Sequence, residues 1–244
     1  DWDSFGGQVF KEWKNDQEGY DTQQWSHVIN PFKIPEGWEI IRGYDHGYAK
    51  PFSVGWYAVN YTGCIYRIRE LYGMKKDSPN VGIEIQPADV ARQIRAIEET
   101  DPNLKGRRIT GIADPSIFAK DRGPSIADTM AKMGVYWSPG DNHRIAGKMQ
   151  YHYRMAFDEH GRSMFYVFNN CKEFIRTVPN LVYDEKDVED VDTKQEDHIY
   201  DECRYVLMSR IIAIRKNVEK PLPIEDPLDL YKEERERRSR VIRV

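Results

Sequence analysis

An acid at the end of a strand constrains this chain more than any other feature. The apolar run Trp38-Glu39-Ile40-Ile41-Arg42-Gly43 reads as a β-strand, and it delivers Asp45 between Gly43 and Gly47, just before a second β-rich run from Phe52 to Tyr61. Any fold built on these runs carries a carboxylate inside a sheet. Such a group is costly to bury unless a cation or a hydrogen-bond donor pairs with it.

The order of elements is legible from pattern. Residues 1–37 hold Trp2, Trp13 and Trp25 with little periodicity and close on the turn signals Asn30-Pro31 and Pro35-Glu36-Gly37, which predicts a lead-in packed on the domain surface. Strands are expected over 38–45, 52–60 and 64–72, the last two joined by Asn60-Tyr61-Thr62-Gly63, and short connections favour antiparallel neighbours. Pro87 opens a helix whose Val90, Ile94 and Ile97 keep helical spacing to about Thr100, where Asp101-Pro102 stops it. A strand over 107–114, a helix over 125–133 and a strand over 134–137 then alternate in the way that gives parallel neighbours. A basic-aromatic helix over 143–157, a turn at 158–161, a β run over 163–168 and a short helix over 171–177 follow. An acidic loop over 184–192 precedes a last helix expected from about Lys194 to Arg215, and 216–244 is a tail whose final residues, 232–244, carry five arginines.

Composition narrows the class. With 244 residues, 40% of them hydrophobic, the chain can bury a full core. A mean hydropathy of -0.74 and the lack of an apolar run near 18 residues argue against a membrane partner. The first residue is Asp1 and no leader follows, which is expected of a fragment whose missing part lies upstream. Cys64, Cys171 and Cys203 are odd in number and form no CxxC pair, so they read as buried hydrophobes in a reducing compartment. The net charge is -4, but residues 184–202 alone contribute ten acids against Lys186 and Lys194; without that stretch 34 basic residues face 30 acidic ones. The remainder is mildly basic, which permits a polyanionic partner.

Chemistry is concentrated in three acidic positions. Asp45 ends the first strand, Asp114 ends the fourth, and the last helix carries Asp197, His198 and Asp201, with the two acids one turn apart. Acids there are also what the helix macrodipole alone would favour. Neighbouring strand ends lie within about 5–10 Å of one another, so Asp45 and Asp114 could face each other beneath a helix carboxylate. Converging carboxylates cannot all stay ionised without a cation. Hard oxygen donors select Mg²⁺ or Mn²⁺, and two such ions about 3.5–4 Å apart serve phosphodiester hydrolysis.

Three strands, helix, strand, helix, strand, helix, with acids at these places, resembles the ribonuclease H-like nuclease superfamily. Within it, Gly43-Tyr44-Asp45-His46-Gly47, Ala113-Asp114-Pro115-Ser116 and Asp197-His198-Ile199-Tyr200-Asp201-Glu202-Cys203-Arg204-Tyr205 resemble the motifs of the C-terminal nuclease domain of the tailed-phage large terminase subunit. The resemblance implies an α/β fold with a mixed sheet of five or more strands flanked by helices. It also implies a hairpin insertion, here matched to 158–168, a nuclease domain over 38–215, and a lead-in over 1–37, including Gly6-Gly7-Gln8-Val9-Phe10, from an upstream ATPase. Asp45, Asp114 and Asp201 become the catalytic metal-binding triad, His198 and Asp197 auxiliary metal residues, and the cofactor two Mg²⁺ or Mn²⁺ ions.

The implied activity is endonucleolytic cutting of concatemeric viral double-stranded DNA during packaging, in the host cytoplasm, with the portal protein and small terminase subunit as partners of the longer protein. No GxxxxGK[ST] is present, so no ATP is expected to bind this chain by a P-loop. Lys120, Arg122, Arg144, Lys148 and Arg154 are the expected DNA contacts, although for Arg144, Lys148 and Arg154, as for His143 and His152, a solvated helix face is the plainer reading. His46 should point away from Asp45 and be structural or solvated. A junction resolvase or transposase, or a non-catalytic module that docks on DNA or portal, are the alternatives.

Overall fold

The computed structural model describes residues 7–120, 123–187 and 189–221. Arg122, Gly6 of the lead-in and the arginine-rich end of the tail lie outside the described residues.

Strand β2 (Glu39–Asp45) is the axis of the molecule. It pairs antiparallel with β3 (Ser53–Val59), which pairs antiparallel with β4 (Ile65–Tyr72). The β3–β4 turn closes because Asn60 Oδ1 accepts from the backbone N–H groups of Thr62 and Cys64 at 3.0 and 2.9 Å. On its other side β2 runs parallel to β5 (Ile109–Ala113), and β5 to the two-residue β6 (Ser138–Pro139). Strand β7 (Phe165–Phe168) runs parallel to β4 and to β1 (Val28–Ile29), giving a seven-stranded mixed sheet in the order β1-β7-β4-β3-β2-β5-β6.

Helices cover both faces. Helix α1 (Pro87–Thr100) starts on Pro87, whose missing N–H costs nothing in a first turn, and it packs with α2 (Ile126–Ala131), which opens on a capping box between Ser125 and Asp128. Glu98 of α1 accepts from Arg42 of β2 and Trp56 Nε1 of β3, so this layer sits on the face to which the even-numbered residues of β2 point. On the opposite face lie α3 (Arg144–Met155), α4 (Lys172–Thr177) and α5 (His198–Met208), with α5 running across β2 and β3 and against α3. Among the described residues no helix is long and apolar enough to cross a membrane.

Four expectations change. The lead-in is part of the domain: Val28 and Ile29 supply an edge strand, and Val9 and Phe10 are buried in the core. The 158–168 segment is not a hairpin, because its strand lies inside the sheet, parallel to both neighbours. The antiparallel pairing falls instead in the acidic segment, where Asp184 N–H donates to Asp190 O at 3.0 Å and Asp192 N–H to Val182 O at 3.1 Å. The last helix is shorter than 194–215, and the strand expected at 134–137 forms only at 138–139. Beyond α5 the chain runs back over the domain, with Val218 N–H bonded to Phe157 O at 3.0 Å.

Candidate active site

The site sits where β2 and β5 end together. Asp114 N–H donates to Tyr44 O at 3.0 Å, so the parallel strands place Asp45 and Asp114 on adjoining strand ends. Alternation turns Gly43 and Asp45 toward α5. Gly43 faces Gly55 across the β2–β3 pair, and a Cβ at either position would lie within 2.2–2.6 Å of a Glu202 carboxylate oxygen. The two glycines therefore form the groove into which α5 settles.

Glu202 fastens the helix there. Its fully buried carboxylate accepts from Ser53 Oγ at 3.1 Å, Tyr57 OH at 2.8 Å and the fully buried Arg67 Nη1 at 2.7 Å. A buried ion pair needs this many hydrogen bonds to offset desolvation. With α5 fixed, Asp197, His198 and Asp201 face the strand ends.

Asp45 is 7% exposed and, among the described residues, accepts no hydrogen bond; its nearest basic atom is His198 Nδ1, 3.4 Å from Oδ2. Burial, reinforced by the charges of Asp201 and Asp114, pushes its carboxyl well above the usual range. Burial and then the Asp201 charge push Asp197 up to about 7. His198 is moved down by burial against the pull of Asp197 and Asp201, which favours the neutral ring. Its Nε2 lies 3.1 Å from Asn80 Oδ1, and the Asn80 Nδ2 faces the carbonyls of Lys194 and Gln195, so Oδ1 is the acceptor and Nε2 carries the hydrogen. The Nδ1 lone pair is left pointing at Asp45.

The other two carboxylates have partners. Asp114 accepts from Ser116 N–H at 2.8 Å and Ser116 Oγ at 2.7 Å, capping the short 3₁₀ turn Pro115–Phe118. Asp201 is held by Arg144 Nη1 at 3.1 and 3.2 Å and by Arg204 Nε at 3.0 Å, and Arg144 Nε also reaches Asp190 at 2.6 Å. Accordingly, among the described residues no three acidic, His or Cys side chains converge as a ready-made ion cage. The donor set nevertheless fits a hard divalent ion. Asp45 is a nearly buried carboxylate without a hydrogen-bond donor, and Asp201 already attracts two cations, so a metal would exchange with guanidinium rather than enter apolar space.

Among the expected DNA contacts, Arg144 is engaged by these acids and Lys120 pairs with Asp128 at 3.0 Å. Lys148 and Arg154 are withdrawn as contacts, because both are buried and donate to backbone carbonyls, Lys148 to Glu189 and Arg154 to Gly63 and Arg210. His143 and His152 pair with Asp141 and Glu12, and His46 accepts from Tyr44 OH at 2.8 Å. Sequence reasoning missed Asn80, Arg204 and the Arg67–Glu202 pair. The available signal was Gly43 and Gly55 opposite each other in two adjacent strands, which marks a close approach from above.

The chain matches no protein-family model and no curated protein. Its fold matches solved structures. The nuclease domain of the P22 large terminase aligns at TM-score 0.61 and 17% identity over 84% of this chain and 93% of that one. A full-length large terminase from a thermophilic bacteriophage aligns at TM-score 0.59 and 19% identity over 83% of this chain and 44% of its own. The large terminase nuclease of the thermophilic phage G20c, solved with bound cobalt, aligns at TM-score 0.51 and 12% identity over 84% and 98%. The chain thus spans less than half the length of the second of these proteins, and its fold is that of large terminase nuclease domains.

Proposed function

We propose that this chain is the nuclease domain of a large terminase subunit, a divalent-metal-dependent endonuclease that cuts double-stranded viral DNA during packaging. The observation that carries the reading is the adjacency of Asp45 and Asp114 at parallel strand ends beneath a helix bearing Asp197, His198 and Asp201, in a chain with the fold of terminase nucleases. The cobalt bound to the G20c nuclease supports the metal dependence.

Asp45, Asp114 and Asp201 would hold Mg²⁺ or Mn²⁺, with Asp197 and the Nδ1 lone pair of His198 at hand. Such an ion, when bound, acidifies water and offsets charge on phosphate oxygens. The chain's own residues do the rest. The sheet fixes Asp45 and Asp114 side by side, the Glu202–Arg67 pair holds α5 at a set height above them, and Asn80 keeps His198 in one tautomer. Asp197, titrating near neutrality, can hold or release a proton beside the reacting phosphate. Phosphate contacts position without reading bases, so cleavage by this domain should show little sequence preference, with site choice left to the small subunit and portal in the longer protein.

One observation favours a second reading, a non-catalytic module that docks on DNA or portal: Asp201 is capped by two guanidinium groups. Plasmid cleavage separates the two. The purified chain should nick or degrade supercoiled plasmid with Mn²⁺ or Mg²⁺ and stop on addition of EDTA; a folded chain that cuts no substrate with either ion would leave the docking module.

A further inference from the structure

The cations first expected to grip DNA are occupied, which raises the question of which surface beside Asp45 can. Residues 73–83 form a tongue folded against the connection that follows Asp45. Lys75 N–H donates to Val81 O at 2.7 Å and Ile83 N–H to Gly73 O at 3.1 Å, while Gly82 N–H reaches across to Ala49 O at 2.9 Å. A Cβ at Gly82 would lie 2.3 Å from the carbonyl oxygens of both Tyr48 and Lys50, so the two backbones are packed as closely as they can be. From this tongue Asn80 reaches His198, at 3.1 Å, which anchors it to the site itself.

The outer face of this unit is basic with an apolar seam. Lys50, Lys75 and Lys76 are exposed, and among the described residues their side chains make neither an ion pair nor a hydrogen bond. Tyr48, Val81 and Ile83 are 46%, 40% and 38% exposed. Asp77 and Glu84 are the acids of the same segment, both with left-handed backbone, at φ 55° and 57°. Free lysines supply phosphate contacts and an exposed aromatic ring suits sugar or base edges.

We propose that the 73–83 tongue, with Tyr48 and Lys50, is the surface that grips the DNA backbone and brings a phosphodiester to Asp45. The proposal rests on the nuclease reading and adds the route by which substrate arrives. Each phosphate contact contributes about 0.9 to the slope of log affinity against log salt. Loss of three lysines should therefore make that slope shallower by about 2–3, equally for unrelated sequences.

The test is fluorescence anisotropy of the full chain with labelled duplexes of two unrelated sequences, across a salt series in Ca²⁺. The triple variant K50A/K75A/K76A should bind about ten-fold or more weakly near 0.1 M salt with the shallower slope, while D77N should bind more tightly. A control triple, K33A/K105A/K132A, also exposed, should bind as wild type. Wild-type affinity and slope in the tongue triple would overturn the assignment and leave the tongue as a surface for a protein partner. Absence of DNA binding by the wild type would overturn it as well. Plasmid cleavage is read separately, so a wild type that cuts while the tongue triple binds normally removes the surface and keeps the nuclease.

Discussion

Arg144 Nη1 lies 3.1 and 3.2 Å from the two carboxylate oxygens of Asp201, while its Nε donates to Asp190 at 2.6 Å. One guanidinium thus joins the acidic hairpin to the helix acid opposite Asp45, and it neutralises charge that a metal would otherwise neutralise.

Replacing that guanidinium should expose the competition. Arg144→Gln leaves Asp201 with Arg204 alone, so the metal-free chain should melt about 3–6 °C lower, as expected for loss of a partly exposed ion pair in a chain of this size. The rise in melting temperature on adding Mn²⁺ should be larger than in wild type, since ligand linkage reports affinity for the folded state. An unchanged Mn²⁺ shift in the variant would show that Arg144 does not compete for the site.

The buried pair beneath the site predicts an asymmetry. Glu202→Ala strands the fully buried Arg67 and should cost about 3–5 kcal/mol in urea unfolding. Replacing both residues by apolar ones of similar volume should recover most of that stability while cleavage stays impaired, because α5 loses the contacts that set its height over Asp45. Equal destabilisation by the single and double replacements would contradict the account of the pair.

His27 gives the pH dependence of the fold. Its Nδ1 accepts from Lys14 N–H at 2.9 Å and its Nε2 donates to Met155 O at 2.8 Å, an arrangement that only the neutral ring satisfies. Burial pushes its pKa down to about 4. The folded-state value lies below the unfolded value of about 6.5, so between them the unfolded chain binds the extra proton and stability falls as pH falls. The contribution is complete above about pH 6.5 and is lost toward pH 4, about 3 kcal/mol in all. Urea unfolding of wild type and His27→Gln across this window should differ in slope by that amount; parallel curves would contradict it.

Much of this was legible because the local signals and the tertiary structure agree. The β2–β3–β4 meander follows from runs of branched and aromatic residues split by Asn60–Gly63, and α1 from Pro87 with Val90, Ile94 and Ile97 at helical spacing. What was not legible depends on partners remote in sequence. Val28 and Ile29 are a strand only because β7 offers them an edge. Helix α5 stops at Met208 where a longer helical run was expected, because Ser209 Oγ bonds back to Val206 O at 2.7 Å and the backbone of Ile212 is claimed by Gln150 through both its amide atoms. Arg154 sits on a basic-aromatic helix, and nothing local distinguishes it from a solvated arginine; its burial comes from the carbonyls of Gly63 and Arg210. The positions of Asp45, Asp114 and Asp201 at element ends could be read, whereas the partners that hold two of them could not.

The central claim rests on Asp45, and the direct measurement is Mn²⁺-dependent plasmid cleavage by Asp45→Asn, with its melting temperature followed in parallel. Removing a buried charge that its neighbours oppose should raise the metal-free melting temperature by about 2–4 °C, abolish the Mn²⁺-dependent rise and abolish cleavage. A folded Asp45→Asn chain that cuts plasmid at the wild-type rate would contradict the assignment of this carboxylate to a catalytic metal centre.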